Sequence, residues 1–388
     1  MSGKSMRCDA VEIEALELRE AMRQRPSMWI GSSSERGLHE LVFQVVGWFV
    51  NRVLADIEGG SVEVTLTHGG GVRVAGNVPV DPFVVDGDIS GHGPATLLTG
   101  TPAAERAGRH IARVGDDSSG PFVANVLSSR LTAEVRHGGT RRVQEYARGV
   151  EAARPAATGP TTGTGTVVAF WPDSEVFDTT WCSFAVLAER FRQVAFLGRG
   201  LRISLTDERP AGGHRAVSFL FPEGVRDFVA ALDAEAGASH HPEIIGFERE
   251  DPRMAGTMEV ALLWSGSRPE SVRGFANSRA TRQGGTHLDG LRDGVAAAVT
   301  AYARDRGLLT EDNTPRADRI DDGLTAVVSV KIDEPEFLGA THELLGNAEV
   351  RDCVADAVRE HLAGWFEERP EHAAQIVDGI LRTVDVEI

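Results

Sequence analysis

Residues 37–55 read GLHELVFQVVGWFVNRVLA. Its apolar residues recur at helical spacing and cover more than one face, so this segment is predicted to be a long helix buried on most sides. Before it, Arg25-Pro26 interrupts an amphipathic pattern, because proline restricts the residue that precedes it and ends helices. After it, residues 62–80 alternate apolar and polar side chains around three consecutive glycines, which predicts a β-hairpin with one buried face.

The rest of the pattern predicts two domains of the α+β class. A chain of 388 residues exceeds what one hydrophobic core usually supports, roughly 250 to 300 residues. The first domain is completed by strand-like runs at 131–143, 166–171 and 201–205 and an amphipathic helix at 184–196. The pattern restarts near residue 220, and the second part is predicted to hold helices at 225–232, 285–306, 350–363 and 373–381 and strands at 258–263 and 324–331.

Composition limits the possible functions. The formal net charge is −17, with 57 acidic and 40 basic residues, so stable DNA binding is disfavoured unless a local basic patch overrides the mean field. Three widely spaced cysteines suit neither a metal site nor a disulfide framework. Acidic residues near the N-terminus replace the apolar run of a signal peptide, and no stretch is apolar enough to cross a membrane, so a cytoplasmic protein is expected.

Eight stretches in order resemble DNA gyrase B and its topoisomerase IV counterpart. They are residues 25–31 (RPSMWIG), 37–46 (GLHELVFQVV), 144–149 (QEYARG), 162–173 (TGTGTVVAFWPD), 195–209 (AFLGRGLRISLTDER), 274–290 (GFANSRATRQGGTHLDG), 323–331 (GLTAVVSVK) and 345–350 (LGNAEV). The resemblance implies a GHKL (Bergerat) ATPase-type α/β sandwich over residues 1–220 and a ribosomal S5 domain 2-like transducer over 221–388. It also implies that two further regions of the family, the Toprim domain and the region that holds the DNA-cleaving partner, lie outside this sequence.

The helix at residues 37–55 should carry the catalytic motif of that family, E-V-V-D-N-x-x-D-E. The aligned residues are QVVGWFVNR, from Gln44 to Arg52. Gln44 takes the general-base position, and because an amide does not accept a proton near neutral pH, roughly two to four orders of magnitude in rate are forfeited. Trp48 takes the magnesium-ligand position, and an indole offers a hard cation no oxygen. We expect it either to fill the space of a lost nucleotide or to grip a ligand.

The nucleotide-binding loops of the family are altered as well. The adenine motif D-x-G-x-G is reduced to a stretch that includes Asn77 and Pro79 and lacks the aspartate. The phosphate lid keeps Gly115 and Gly120 but places two aspartates between them, and like charge opposes a triphosphate. In the transducer loop that normally supplies a lysine, the aligned residue is His342, which is shorter and mostly neutral near pH 7.

Two residues of the implied pocket persist. Thr166 matches the threonine at the adenine edge, and Arg136 matches the arginine at the mouth of the cleft where aminocoumarin antibiotics bind in the family. A strand threonine and a solvated arginine are also ordinary structural residues, so both interpretations stay open. With Trp48, Arg52, Asn77, Pro79, Gly115 and Gly120, these residues define the remnant nucleotide pocket implied by the resemblance.

The favoured hypothesis is a non-catalytic pseudo-ATPase that acts by binding gyrase or topoisomerase subunits, or another protein. It implies no metal and no cofactor, and a monomer or weak homodimer. The alternative is a weak or partner-dependent ATPase that binds ATP and magnesium and uses other residues, such as Glu40 one turn before Gln44. A third hypothesis, a decoy or sensor for gyrase-directed inhibitors, depends only on Arg136 and Thr166.

Overall fold

The chain divides into two compact units, residues 1–221 and 222–388. The sequence places the boundary after residue 220, one residue before this division. The computed structural model describes residues 18–56, 59–78, 120–152, 156–209, 213–237, 243–265, 270–308, 323–339 and 343–384. Among these residues, no helix is both long and apolar enough to cross a membrane.

Unit 1 combines helices with one large sheet. Its helices are Ser27–Ile30 (α1), Glu35–Asp56 (α2), Gly120–Val126 (α3) and Phe184–Leu197 (α4), and residues 18–24 are also helical. Its strands are Ser61–Leu66 (β1), Val72–Gly76 (β2), Ser128–His137 (β3), Thr140–Ala147 (β4), Val150–Glu151 (β5), Ala156–Pro160 (β6), Gly165–Pro172 (β7), Arg202–Asp207 (β8) and Arg215–Phe219 (β9).

The sheet of unit 1 has the strand order β5-β4-β3-β7-β2-β1-β8-β9, and β6 also pairs with β4. Strands β1 and β8 are parallel, and the other pairs are antiparallel. The run predicted as one strand at 131–143 is two strands of a hairpin. Gly138 and Gly139 both adopt positive φ angles, 57° and 78°, which only glycine adopts without strain, and the chain reverses there.

Helix α2 forms the centre of the unit 1 core. Side chains from several of its sides are buried, including Leu38, Val45 and Phe49, as expected for a helix that is apolar nearly all round. Phe49 packs against β2 where Gly76 has no side chain, since a Cβ atom on Gly76 would lie 2.7 Å from the Phe49 ring. The burial of α2 therefore depends on a glycine in the adjacent strand.

Unit 2 places helices on both faces of a smaller sheet. Its helices are Val225–Glu235 (α5), Thr286–Asp305 (α6), Ala348–Glu368 (α7) and Pro370–Val384 (α8). Its strands are Ile245–Asp251 (β10), Gly256–Trp264 (β11), Ser271–Ala276 (β12), Arg279–Ala280 (β13), Leu324–Ile332 (β14), Phe337–Leu338 (β15) and Leu344–Leu345 (β16). The order is β10-β11-β14-β12-β13, and β15 and β16 form a separate hairpin.

One face of this sheet forms a core with α6, α7 and α8, through residues such as Val260 and Val328. The other face meets α5, where Phe228 lies 5.7 Å from Phe275 between ring centroids. Both faces of β14 are consequently buried along its whole length. This explains why its sequence is almost continuously apolar instead of alternating.

Helices α6 and α7 approach each other closely through two glycines. Gly290 and Gly294 lie four residues apart on one face of α6, next to the backbone of α7. A Cβ atom on Gly294 would lie 2.6 Å from the carbonyl oxygen of Ala355. Because a backbone oxygen cannot rotate away as a side chain can, alanine at this position requires the helices to separate.

We predict that Gly294→Ala destabilises the protein by about 1–3 kcal/mol. The matched control is Gly364→Ala in α7, where no atom lies within 4 Å of the added Cβ. Alanine is the better helix former, so the control should stabilise by up to about 1 kcal/mol. Urea unfolding should show a lower free energy of unfolding for Gly294→Ala and a higher one for Gly364→Ala. An unchanged free energy of unfolding in Gly294→Ala would contradict the close helix contact described here.

His287 is a fully buried histidine in the first turn of α6. Its Nε2 atom lies 2.9 Å from Thr281 Oγ1, and the amide of Thr281 donates to the carbonyl of Gly274 at 2.9 Å. Burial lowers the pKa of His287 to about 4, because the charged ring would lose its hydration. The imidazole of His287 is therefore neutral in the folded protein near pH 7.

We predict that stability falls as pH falls from 6.5 to about 4, since the unfolded histidine takes up a proton that the folded one excludes. The pKa of His287 changes from a reference of 6.5 to about 4 on folding. Burial lowers the pKa of His39 and His361 in the same direction. Urea unfolding across this pH range measures the slope, and His287→Gln should reduce it. An identical slope in that variant would show that His287 does not contribute.

Candidate functional site

Gln44, at the position that the resemblance assigns to the general base, has a structural hydrogen bond. Its amide Nε2 donates to the carbonyl oxygen of Trp29 at 2.9 Å. Its Oε1 atom is buried and, within the described residues, accepts no hydrogen bond. A glutamate could not donate this bond and would set a carboxylate against a carbonyl oxygen. The site therefore suits an amide and disfavours an ionised base.

Trp48, at the implied magnesium position, is part of the hydrophobic core and only 4% exposed. Its ring meets Phe49 edge to face with centroids 5.0 Å apart. The guanidinium carbon of Arg52 lies 3.9 Å from the ring centroid, and Arg52 also donates to the Trp48 carbonyl at 3.1 Å. Cation–π stacking and edge packing hold the indole between neighbours of its own helix.

The residues present at this position do not fit a magnesium ion. Magnesium requires oxygen ligands in near-octahedral geometry, and the Trp48 side chain has only an N–H donor. Among the described residues, no group of three or more histidine, cysteine, aspartate or glutamate side chains could hold a metal ion. No hydrolytic step can be derived through a metal held here.

At the implied adenine end, polar side chains bond within the protein. The Oδ1 atom of Asn77 accepts a hydrogen bond from the amide of Ser61 at 3.2 Å. Thr166 is 1% exposed, and its hydroxyl donates to the carbonyl of Val78 at 2.8 Å. Both bonds connect neighbouring parts of the unit 1 sheet, which supports structural roles for these side chains.

Gly120 begins α3 and lies directly against α2. A Cβ atom there would overlap the backbone of Gln44 and lie 3.1 Å from the amide nitrogen of Val45. The sequence assigns Gly120 to the phosphate lid, and the structure gives it a helix-packing role. Three further residues from the sequence analysis, Pro79, Gly115 and His342, lie outside the described residues.

Arg136 pairs with Gly165 across the sheet, so its side chain and that of Thr166 lie on opposite faces, and Arg136 is engaged by a carboxylate. In the register of β3 and β7, Val135 faces Thr166. Arg136 Nε lies 2.6 Å from Glu134 Oε1, and Arg141 lies 2.7 Å from Glu134 Oε2. Hydrogen bonding from Arg141, followed by that from Arg136, lowers the pKa of Glu134. Glu134 thus orients an arginine that the resemblance places at the cleft mouth.

Comparison with known proteins accounts for this architecture. A family model described as DNA gyrase B matches residues 224–387. The DNA gyrase B protein of Streptomyces coelicolor is 40% identical over 392 aligned residues, which include 95% of this chain. The chain is a homologue of the N-terminal ATPase region of DNA gyrase B. The gyrase B protein of Mycobacterium tuberculosis is 34% identical over 98% of the chain.

The resemblance to gyrase and topoisomerase IV and the predicted fold class are confirmed. The 43K ATPase domain of Thermus thermophilus gyrase B, solved with an aminocoumarin, matches with a TM-score of 0.78 and 28% identity over 96% of each chain. The ATP-binding domain of Francisella tularensis topoisomerase IV matches with a TM-score of 0.73 and 26% identity, over 94% of this chain and 96% of that one. The fold is thus the GHKL domain plus transducer.

The chain spans 56% of the length of the Streptomyces coelicolor gyrase B protein and 60% of the Mycobacterium tuberculosis one. Its similarity therefore concerns the ATPase region of those proteins. Whether a chain of this fold can hydrolyse ATP depends on its site residues, because one fold can carry different functions.

Sequence reasoning overlooked the partners of the site residues. Trp29, whose carbonyl oxygen accepts the Gln44 hydrogen bond, lies 15 positions earlier in the chain, and nothing in the local pattern connects the two. Glu134 was detectable, because it lies two positions from Arg136 on a strand and therefore on the same face. The signal was the pair of opposite charges at alternate positions of β3, which predicts an ion pair between neighbouring side chains on one face.

We predict that Gln44→Glu creates no ATPase activity and destabilises the protein by about 1–3 kcal/mol, because it loses the bond to Trp29 and buries a carboxylate. Burial raises the pKa of such a carboxyl, so the loss should grow as pH rises from about 4 to 7. The control is Glu40→Gln, one turn earlier, which should change stability little. Phosphate release and urea unfolding are the measurements, and magnesium-dependent turnover in Gln44→Glu contradicts the interpretation.

Proposed function

We propose that this chain is a gyrase B-like pseudo-ATPase that acts by binding another protein and neither binds nor hydrolyses ATP. The observation that carries the proposal is the burial of Trp48 in the unit 1 core, at the position where the family needs an oxygen ligand. Gln44 supports it, since its amide donates to Trp29 and offers no base. Both changes lie on α2, one turn apart.

The polar residues at the adenine end support the same conclusion. Asn77 and Thr166 direct hydrogen bonds to Ser61 and Val78. A nucleotide would have to compete with these bonds for the same side-chain atoms, at the cost of leaving backbone groups unsatisfied. Side chains with these internal hydrogen bonds stabilise the nucleotide-free protein and are poorly suited to recognising adenine.

Charge favours a protein partner over DNA. Residues 222–388 contain 32 acidic and 17 basic side chains, a net charge of −15, and residues 1–221 carry the remaining −2. A second unit with this charge repels the phosphate backbone. The binding partner proposed here is a gyrase or topoisomerase subunit or another protein, and the acting species is a monomer or weak homodimer in the cytoplasm.

Calorimetry with a non-hydrolysable ATP analogue and magnesium tests the proposal. We expect no heat at millimolar nucleotide, while the ATPase region of Streptomyces coelicolor gyrase B, treated identically, should bind. Binding at an affinity near that of the control would refute the proposal. The full-length chain should also release no phosphate above background.

A second assay addresses the alternative of an ATPase that uses Glu40. This side chain is half-buried on α2, one turn before Gln44. If phosphate release is detected, Glu40→Gln should abolish it under the alternative and leave it unchanged if a contaminating ATPase is responsible. Interferometry with immobilised gyrase subunits then tests partner binding, which should be insensitive to added ATP.

A further inference from the structure

Two histidines that the proposed function does not use lie together at one end of the unit 1 sheet. His68 is in the turn that follows β1, and His214 directly precedes β9. Their ring centroids are 6.3 Å apart and their planes are inclined by 70°. His68 and His214 are both exposed, so both rings can be reached from solvent.

The sheet topology explains why residues so distant in sequence meet. Leu66, at the end of β1, is in register with Asp207 at the end of the parallel strand β8. Asp207 is in turn paired with Arg215, the first residue of the antiparallel strand β9. The end of β1 and the start of β9 therefore share one edge of the fold, and the two histidines flank β8 there.

The backbone that carries His68 is well ordered by hydrogen bonds. Thr67 closes the turn, since its amide and its hydroxyl donate to the Gly71 carbonyl at 2.8 Å and 3.1 Å. The Gly70 amide donates back to Thr67 at 3.1 Å. A Cβ atom on Gly71 would lie 2.5 Å from the indole nitrogen of Trp171, so this turn packs tightly on β7.

The backbone that carries His214 is fixed by its neighbour. Arg215 Nε and Nη2 donate to Asp207 Oδ2 at 3.0 Å and 2.8 Å. Asp207 is 1% exposed and also pairs with Arg209 at 2.7 Å. The arginine hydrogen bonds, those of Arg209 first, lower the pKa of this carboxyl, which keeps the pair ionised. Both imidazoles thus extend from anchored positions and keep only side-chain freedom.

We propose that His68 and His214 form a two-histidine site for a borderline transition-metal ion, Zn²⁺ or Cu²⁺. Neutral imidazole is a preferred ligand of both ions, and water would complete the coordination. Two imidazoles bound to one tetrahedral ion at about 2.0–2.1 Å place their ring centroids about 5 Å apart. Rotation of the exposed His214 side chain closes the remaining gap of about 1 Å.

A metal at this site would connect the β1–β2 turn to β9, which pairs in the sheet only with β8 among the described strands. The expected consequence is metal-dependent stabilisation of an edge strand. Magnesium should not substitute, because it selects oxygen ligands. The site is independent of the nucleotide position on α2, so its failure would leave the proposed function untouched.

The test is calorimetric titration of the metal-free, full-length chain with Zn²⁺ near neutral pH, alongside thermal unfolding. His68→Ala and His214→Ala should each weaken binding at this site at least tenfold, with circular dichroism showing that both remain folded. At a tenfold excess over the dissociation constant, zinc should raise the Tm of the unchanged protein by roughly 3–5 °C. Neither variant should show this rise, and magnesium should give none.

The control is His137→Ala, which removes an exposed histidine at the end of β3 and should keep the full zinc response. Loss of the response in both site variants and its retention in the control support the proposal. Absence of zinc binding by the unchanged protein overturns it. Wild-type binding in either site variant also overturns it, since a shared site needs both rings.

Discussion

The burial of α2 against the unit 1 sheet is the constraint on which the remaining features of this unit depend. The helix is apolar nearly all round and can be stable only if covered on most sides. Gly76 lets Phe49 reach the strand, and Gly120 lets α3 lie on the backbone of Gln44. With these contacts in place, the positions that carry catalysis in the family become part of a packed interior, and interiors tolerate polar ligands only when they are fully bonded.

Trp48 is a packed core residue at the position that the resemblance assigns to a magnesium ligand. A residue that binds a metal must keep its polar atoms directed at a cavity, whereas the indole of Trp48 contributes a large apolar surface, meets Phe49 edge to face and stacks on Arg52. Gln44 follows the same logic, because its amide satisfies the Trp29 carbonyl. Trp48 is thus packed on its own helix, while the Gln44 amide donates one hydrogen bond and its buried Oε1 accepts none among the described residues. These contacts are the observations on which the proposed role in protein binding depends.

The two units differ in what the fold requires of them. Unit 2 depends on close helix contact, in which Gly290 and Gly294 admit the backbone of α7, and on a central strand buried on both faces. Its high negative charge lies on a scaffold that matches the second part of the Thermus thermophilus gyrase B ATPase domain. A core restricts volume and shape, while surface charge can change at little cost in stability.

Sequence periodicity and the order of motifs were enough to predict the α+β class, the family, and the α2 and β14 segments, because those signals are local or depend on composition. The residue types at Gln44 and Trp48 led to the hypothesis of a chain without ATPase activity, which stays a prediction. The hairpin of β3 and β4 was missed although Gly138-Gly139 is a local hairpin signal, because strand-like residues continue on both sides of the two glycines. The tertiary structure was needed to show that the Trp29 carbonyl accepts a hydrogen bond from Gln44 and that His68 lies next to His214. These contacts arise from strand order and helix packing, which join distant segments and leave no periodic trace in the chain.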